Sequence, residues 1–283
     1  MIDPTVERFL PQVAATSCKA STGVAYVQYG SGEPMFLFHG GSGSWSHWVR
    51  NIEALGQRFQ VNALDAPGYG ASDDVDRDMS NESYLDIVFR TIEEVSAGAD
   101  RIHIAGFSFG GSLASATAAY LKNRAGSISL TGTAGFERPA GRTLPLVSTR
   151  RQREELGRNP TTEELRNLHR SNLGVLMVWD KSKIDAQAID MQVENVARTR
   201  WNSRKFSWSG MTPTWLSQAT CPLKVIYGEH DAAAFPSVQS RIDLCLAASK
   251  NGDSLIIEDC GHWAMYEAPE RINAELLAFH GGV

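Results

Sequence analysis

Short apolar runs alternate with longer amphipathic stretches along most of the 283-residue chain. Near-continuous apolar runs predict strands at Gly23–Tyr29, Met35–Phe38, Phe59–Leu64, Arg101–Ala105, Ser127–Leu130, Leu223–Tyr227 and Ser254–Ile257. Runs of this kind are expected of strands covered on both faces of a parallel sheet. Between them, Leu85, Val88, Phe89, Ile92 and Val95 recur at i, i+3, i+4 spacing, as do Ile272, Leu276, Leu277 and Phe279 near the end. Each set forms the one-sided apolar stripe of a helix. The alternation predicts an α/β fold with a mostly parallel, doubly wound sheet.

The alternation stops between Phe136 and Gly210. This stretch is rich in Arg, Asn, Gln and Glu and shows no strand pattern. Thr161 and Glu164 have capping-box spacing ahead of Leu165 and Leu168, so helices are expected. We read residues 136–210 as a helical cap inserted into a core made of residues 1–135 and 211–283. Plain linking helices are the simpler alternative, but the length exceeds that of an ordinary connection.

Composition narrows the function. Apolar residues make up 42% and charged residues 21%, and the net charge is −5. The chain can bury a core, and it has no basic field to attract nucleic acid or an anionic membrane. Cys18, Cys221, Cys245 and Cys260 are scattered without a CxxC pair, which argues against a zinc site or disulfide framework and fits a reducing cytoplasm. The opening MIDPTVERFLPQV lacks the basic-then-apolar pattern of a signal peptide, and no apolar run approaches the roughly 20 residues of a membrane span. A small-molecule substrate is expected, with no metal or cofactor; self-association is left open.

The chemistry concentrates in four segments. An apolar strand runs through Ile102 to Gly106-Phe107-Ser108-Phe109-Gly110-Gly111 and on into a helix-forming run. A Gly-x-Ser-x-Gly turn between strand and helix is a nucleophile elbow: Ser108 projects from a sharp turn, and the helix start directs N–H groups toward a developing oxyanion. Phe36-Leu-Phe-His39-Gly40-Gly41-Ser42-Gly43 ends a second strand in a glycine-rich loop. Gly41 and Phe109 are the candidate N–H donors to the oxyanion.

Strand Leu223–Tyr227 leads to Gly228-Glu229-His230-Asp231, and strand Ser254–Ile257 leads to Gly261-His262-Trp263. Serine needs an imidazole to take its proton, and the imidazole needs a carboxylate to fix its tautomer. His262 follows the acid in chain order; His39, His47, His103, His169, His230 and His280 fit this position less well. Asp231 is the favoured acid, with Glu229 a rival in the same loop. The order Ser, Asp, His is that of α/β-hydrolases. Asp65-Ala-Pro-Gly68-Tyr-Gly70-Ala-Ser72-Asp73 reads as a structural turn; no Gly-Lys-Ser/Thr follows to make it a phosphate loop.

With these segments in order, the chain resembles the α/β-hydrolase superfamily over nearly its whole length. More narrowly it resembles the meta-cleavage product hydrolases, which cut carbon–carbon bonds in vinylogous 1,5-diketone acids. The resemblance rests on His39-Gly-Gly-Ser-Gly-Ser-Trp45-Ser-His-Trp48, on Gly261-His262-Trp263-Ala-Met-Tyr-Glu267, and on Trp179-Asp-Lys-Ser-Lys-Ile-Asp. Substrate contacts are expected from Gly40, Ser42, Trp45, Phe107, Trp179, Gln192 and Trp263. Trp179, Met177 and Leu176 in the cap, with Trp45, Trp48 and Trp263, suggest an apolar, partly aromatic pocket, set against the plainer reading of aromatic core. Two positions depart from that family: Phe107 stands where an asparagine is usual, and Gln192 aligns with the cap arginine that pairs with a substrate carboxylate. Glutamine cannot make that bidentate ionic contact. Arg198, Arg200 and Arg204 are nearby substitutes, set against the plainer reading of a solvated cap face. The leading expectation is therefore a serine hydrolase of a small carboxylic ester, followed by a C–C bond hydrolase. The elbow also resembles that of cofactor-free perhydrolases. A non-catalytic small-molecule receptor of the same fold is the reading from another class.

Overall fold

The computed structural model describes residues 3–137 and 143–283, so residues 138–142 of the expected cap lie outside the described residues. Eight strands form one sheet: β1 Thr16–Lys19, β2 Ala25–Tyr29, β3 Pro34–Phe38, β4 Gln60–Leu64, β5 Ile102–Phe107, β6 Ala125–Thr131, β7 Leu223–Gly228 and β8 Gly252–Ile257. Their order is β1-β2-β4-β3-β5-β6-β7-β8. β2 pairs antiparallel with β1 and with β4; all other neighbours are parallel. The predicted strands are present to within two residues at each end. β1 was not predicted: Thr-Ser-Cys-Lys is polar, half exposed and sits at the sheet edge.

The continuous apolar runs have a direct cause in the two-sided core. On β3, Met35 and Leu37 pack with Trp48, Ile52 and Leu55 on one face, while Phe36 and Phe38 pack with Ile102, Ile104 and Leu113 on the other. All five residues of β3 are buried, each large side chain contributing about 1.5–3 kcal/mol by leaving water. The helix Asn81–Val95 is capped by Ser80 and buries Tyr84, Leu85, Val88 and Ile92. The helix Phe109–Leu121 lies almost wholly inside the molecule, and Pro269–Gly281 buries Ile272 and Leu276.

Topology then places the site. From β3 the chain crosses to β4 on one side, and it returns to β5 on the other side of β3. The loops leaving the carboxyl ends of β3 and β5 therefore diverge and open a crevice, the usual ligand position in such sheets.

Between β6 and β7 the described residues form the helices Thr149–Leu156, Thr162–Asn172, Ala186–Ala197, Arg204–Ser207 and Thr212–Gln218, with no strand among them. The expected capping box is formed: Thr161 Oγ1 accepts from Glu164 N at 3.2 Å, and Glu164 Oε2 accepts from Thr161 N at 2.7 Å. The apolar residues of this segment join the two sheet cores. Leu173, Met177, Ile184, Ile189 and Met191 pack in the cluster containing Trp45 and Trp263, while Trp201 and Phe206 join the opposite one. Among the described residues no helix is long and apolar enough to cross a membrane.

Candidate active site

Ser108 sits between β5 and the helix Phe109–Leu121 with φ 51° and ψ −117°. A non-glycine residue there costs on the order of 1–3 kcal/mol and persists only when its surroundings dictate it. They do: Ser108 N donates to Thr131 O at 3.0 Å, while its carbonyl accepts from Gly111 N at 2.9 Å and Ala134 N at 3.0 Å. Gly106 is required by the tight turn, since a Cβ there would come within 2.6 Å of Ala114 Cβ and 2.8 Å of Gly111 Cα.

The loop after β3 is built to leave one N–H available. Gly40 N donates to His47 Nδ1 at 3.1 Å. His39 Nε2 accepts from Ala66 N at 3.0 Å, so its Nδ1 carries the proton and donates to Gly40 O at 2.7 Å. Burial holds His39 neutral, lowering its pKa to about 4. Among the described residues neither Gly41 N nor Phe109 N donates within the protein; Phe109 opens its helix, where N–H groups have no intrahelical acceptor. Asp65 braces the arrangement from the turn after β4, accepting from Trp45 N at 2.8 Å and Ala71 N at 2.8 Å. Burial raises the pKa of its carboxyl to about 7.

The candidate acid Asp231 and candidate base His262 lie in the loops that follow β7 and β8. His262 Nδ1 lies 2.8 Å from Asp231 Oδ2. The side chains are 3% and 0% exposed, so this pair is shielded from solvent. Asp231 Oδ1 accepts from Ala233 N at 2.7 Å and Ala234 N at 3.3 Å, fixing the carboxylate plane. The rival Glu229 points elsewhere, accepting from Asp259 N at 3.2 Å and lying 3.6 Å from His230 Nε2. With Nδ1–H given to Asp231, Nε2 of His262 is left as the basic nitrogen. Among the described residues no hydrogen bond joins Ser108 Oγ to His262, a looseness common before substrate binds.

Ser108 and His262 open into one cavity of about 520 Å³, the size of a small-molecule site. Gly40, Gly41, Ser42 and Phe107 line it, as expected, with Leu176 and Met177. The other expected contacts do not line it, and each has a physical reason. Trp45 and Trp263 are core residues whose indole N–H groups donate to Thr5 Oγ1 at 3.3 Å and His47 O at 2.9 Å. Trp179 is 53% exposed and stacks on His230, ring centroids 3.8 Å apart. Gln192 stays outside, its buried Oε1 without a protein partner. Arg198 is held by Asp3 and Glu194, and Arg200 by Asp74 and Ser72 O. Of the three arginines weighed, only Arg204 reaches the cavity wall. Sequence reasoning missed Thr133, Glu137, Leu146, Ser203 and Arg241 on that wall; they come from separated segments and carry no common motif.

Comparison with known proteins places the chain in a family. Residues 35–275 match the model of the alpha/beta hydrolase family, so the chain belongs to that family and is a hydrolase. It is 29% identical over 274 residues to the 2-hydroxy-6-oxononadienedioate/2-hydroxy-6-oxononatrienedioate hydrolase of Paraburkholderia phymatum, covering 91% of both chains. Among solved structures, it is similar to a bacterial membrane phospholipase A at 26% identity and a TM-score of 0.72, covering 99% of this chain and 89% of that one. It also shares the fold of a meta-cleavage product hydrolase from Pseudomonas fluorescens at 23% identity and a TM-score of 0.72, covering 94% and 97% of the two chains.

Proposed function

We propose that Ser108, His262 and Asp231 form the catalytic triad of a serine hydrolase whose substrate is a small carboxylic ester. One observation carries this: a strained Ser108 faces the same cavity as a histidine whose far nitrogen is bonded to a buried aspartate. Ser108 Oγ attacks the carbonyl carbon while His262 Nε2 takes its proton. The N–H groups of Gly41 and Phe109 receive the oxyanion. His262 then protonates the leaving alcohol, and a water that it deprotonates releases the acid from the acyl-enzyme. Residues 136–210 serve as the cap, supplying Leu176, Met177, Ser203 and Arg204 to the cavity. The free cysteines suit a reducing compartment, and a cytoplasmic setting belongs to the same proposal.

A second reading, C–C bond hydrolysis of a dienoate acid, is favoured by the similarity to the dienedioate hydrolase. Against it stand Gln192 outside the cavity and Phe107, an apolar ring 4.9 Å from the His262 ring. The experiment is to label the folded protein with a fluorophosphonate, then compare kcat/KM for a short aryl ester and a meta-cleavage dienoate. Labelling at Ser108 with ester preference is expected. An unlabelled Ser108 at neutral pH would overturn the triad; a strong dienoate preference would select the second reading.

A further inference from the structure

We propose that Glu267 is a positioning residue for the reaction, a buried carboxylate that holds His262 in place by tying its loop to cap residues 179 and 180. The inference rests on the reading of His262 as the general base. Glu267 is 3% exposed at the end of the short helix Ala264–Glu267. Its Oε2 accepts from Gly261 N at 2.8 Å and from Trp179 N at 3.1 Å; its Oε1 accepts from Asp180 N at 2.7 Å. Its backbone carbonyl accepts from Lys183 Nζ at 3.0 Å. Among the described residues no side-chain cation pairs with the carboxylate itself, so three backbone N–H groups hold it, and such charge-assisted bonds are about twice as strong as neutral ones.

The residue on the other side of His262 is anchored to the same segment: Trp263 N donates to Met177 O at 2.7 Å. The imidazole thus sits between two fixed backbone points, one reached through Glu267 and one directly. The approach at Gly261 is close enough to require glycine, since a Cβ there would lie 2.7 Å from Trp179 N and 2.9 Å from Met177 O. The same cap segment reaches the acid loop as well, because the Trp179 ring stacks on His230, next to Asp231. Leu176 and Met177, in the turn just before it, line the cavity. One carboxylate therefore links the substrate wall, the base and the neighbourhood of the acid.

The test compares Glu267→Gln and Glu267→Ala with the unmodified enzyme. It measures thermal stability, kcat and KM on the aryl ester, and the downfield proton resonance of the His262 Nδ1–H bonded to Asp231. The amide of Gln keeps one acceptor but turns a donor toward Asp180 N–H, so the base loses register while the fold survives. We expect kcat to fall roughly 10- to 100-fold with KM within about threefold, as a small misplacement of a catalytic group does. The downfield resonance should broaden or vanish. Both readouts unchanged in the folded variants, or activity falling only with the unfolded fraction, would overturn the proposal. If Glu267→Ala does not fold, Glu267→Gln decides. The resonance requires no substrate, so an enzyme inactive on esters would unseat the function and still report on Glu267.

Discussion

Among the described residues, two Ser–His–acid constellations lie at opposite ends of the sheet. At the carboxyl ends of the strands lie Ser108, His262 and Asp231. Near the amino ends, Ser127 Oγ is 2.7 Å from His103 Nδ1, and His103 Nε2 is 2.9 Å from Glu33 Oε2. By hydrogen bonding alone the second is the more complete triad. It continues inward, with Ser127 Oγ 2.6 Å from His280 Nδ1 and His280 Nε2 2.8 Å from Ser129 Oγ. Yet Ser127 is fully buried within β6, with ordinary strand geometry and no helix start aimed at it. Its hydroxyl proton is already given to His103, and its lone pair already accepts from His280. What distinguishes a catalytic serine is access, backbone strain and free N–H donors beside it; a set of matching residue types does not suffice.

The largest expected effects separate the two sets. Ser108→Ala should lower kcat by roughly 10⁶-fold, as removal of a triad nucleophile does. Ser127→Ala should leave kcat unchanged in the folded protein. Steady-state kinetics on the aryl ester check both, and an active Ser108→Ala would dissolve the comparison. The acids come next. Asp231→Asn should cost about 10⁴-fold in kcat by presenting the wrong partner to Nδ1. Glu33→Gln and Glu229→Gln should cost nothing measurable; a loss at Glu229 would return the acid role to that residue.

A smaller effect belongs to stability. Ser127→Ala leaves His103 Nδ1 and His280 Nδ1–H without the hydroxyl that joins them. Stranding buried polar groups costs about 1–3 kcal/mol. Urea unfolding should show that loss, whereas Ser108→Ala, which relieves no strain because φ is unchanged, should unfold nearly as the parent does.

The same contrast explains what the sequence made legible. Ser108 could be read because its conformation is dictated locally, by a strand, two glycines and a helix within ten residues. Asp231 and His262 could be read because each lies in the loop after a recognisable strand, in a fixed chain order. Most strands announced themselves because both sheet faces are covered. The substrate wall was legible only in part: Gly40, Ser42 and Phe107, beside the recognised motifs, line the cavity, whereas Trp179, which has motif support, and Gln192, placed by alignment alone, do not. A wall assembled from Glu137, Ser203 and Arg241 depends on long-range packing, which spacing does not encode. Glu267 falls between these cases. Its motif was visible, but its partners Trp179 and Asp180 lie 88 and 87 residues away.

A last effect is a pH slope to which the Ser127 set contributes. Burial lowers the pKa of His103 below its ordinary 6.5 and, together with the neighbouring His103, holds that of His280 well below it. The hydrogen-bond chain needs both neutral, running from Ser129 through His280, Ser127 and His103 to the Glu33 carboxylate. Below pH 6.5 the unfolded chain therefore binds more protons than the folded one, so stability falls as pH drops, by up to 1.36 kcal/mol per unit for each histidine. His39 and His47, also held neutral by burial, act in the same direction. Asp65 acts oppositely: with its pKa raised to about 7, the folded state holds an extra proton between pH 4 and 7. The histidines outnumber it, so the net slope follows them. Urea midpoints should fall between pH 7 and pH 5, and His103→Gln/His280→Gln should flatten that fall. A slope unchanged in the double variant would place the acid sensitivity at the loop holding His39 and His47, and so at the Ser108 end of the sheet.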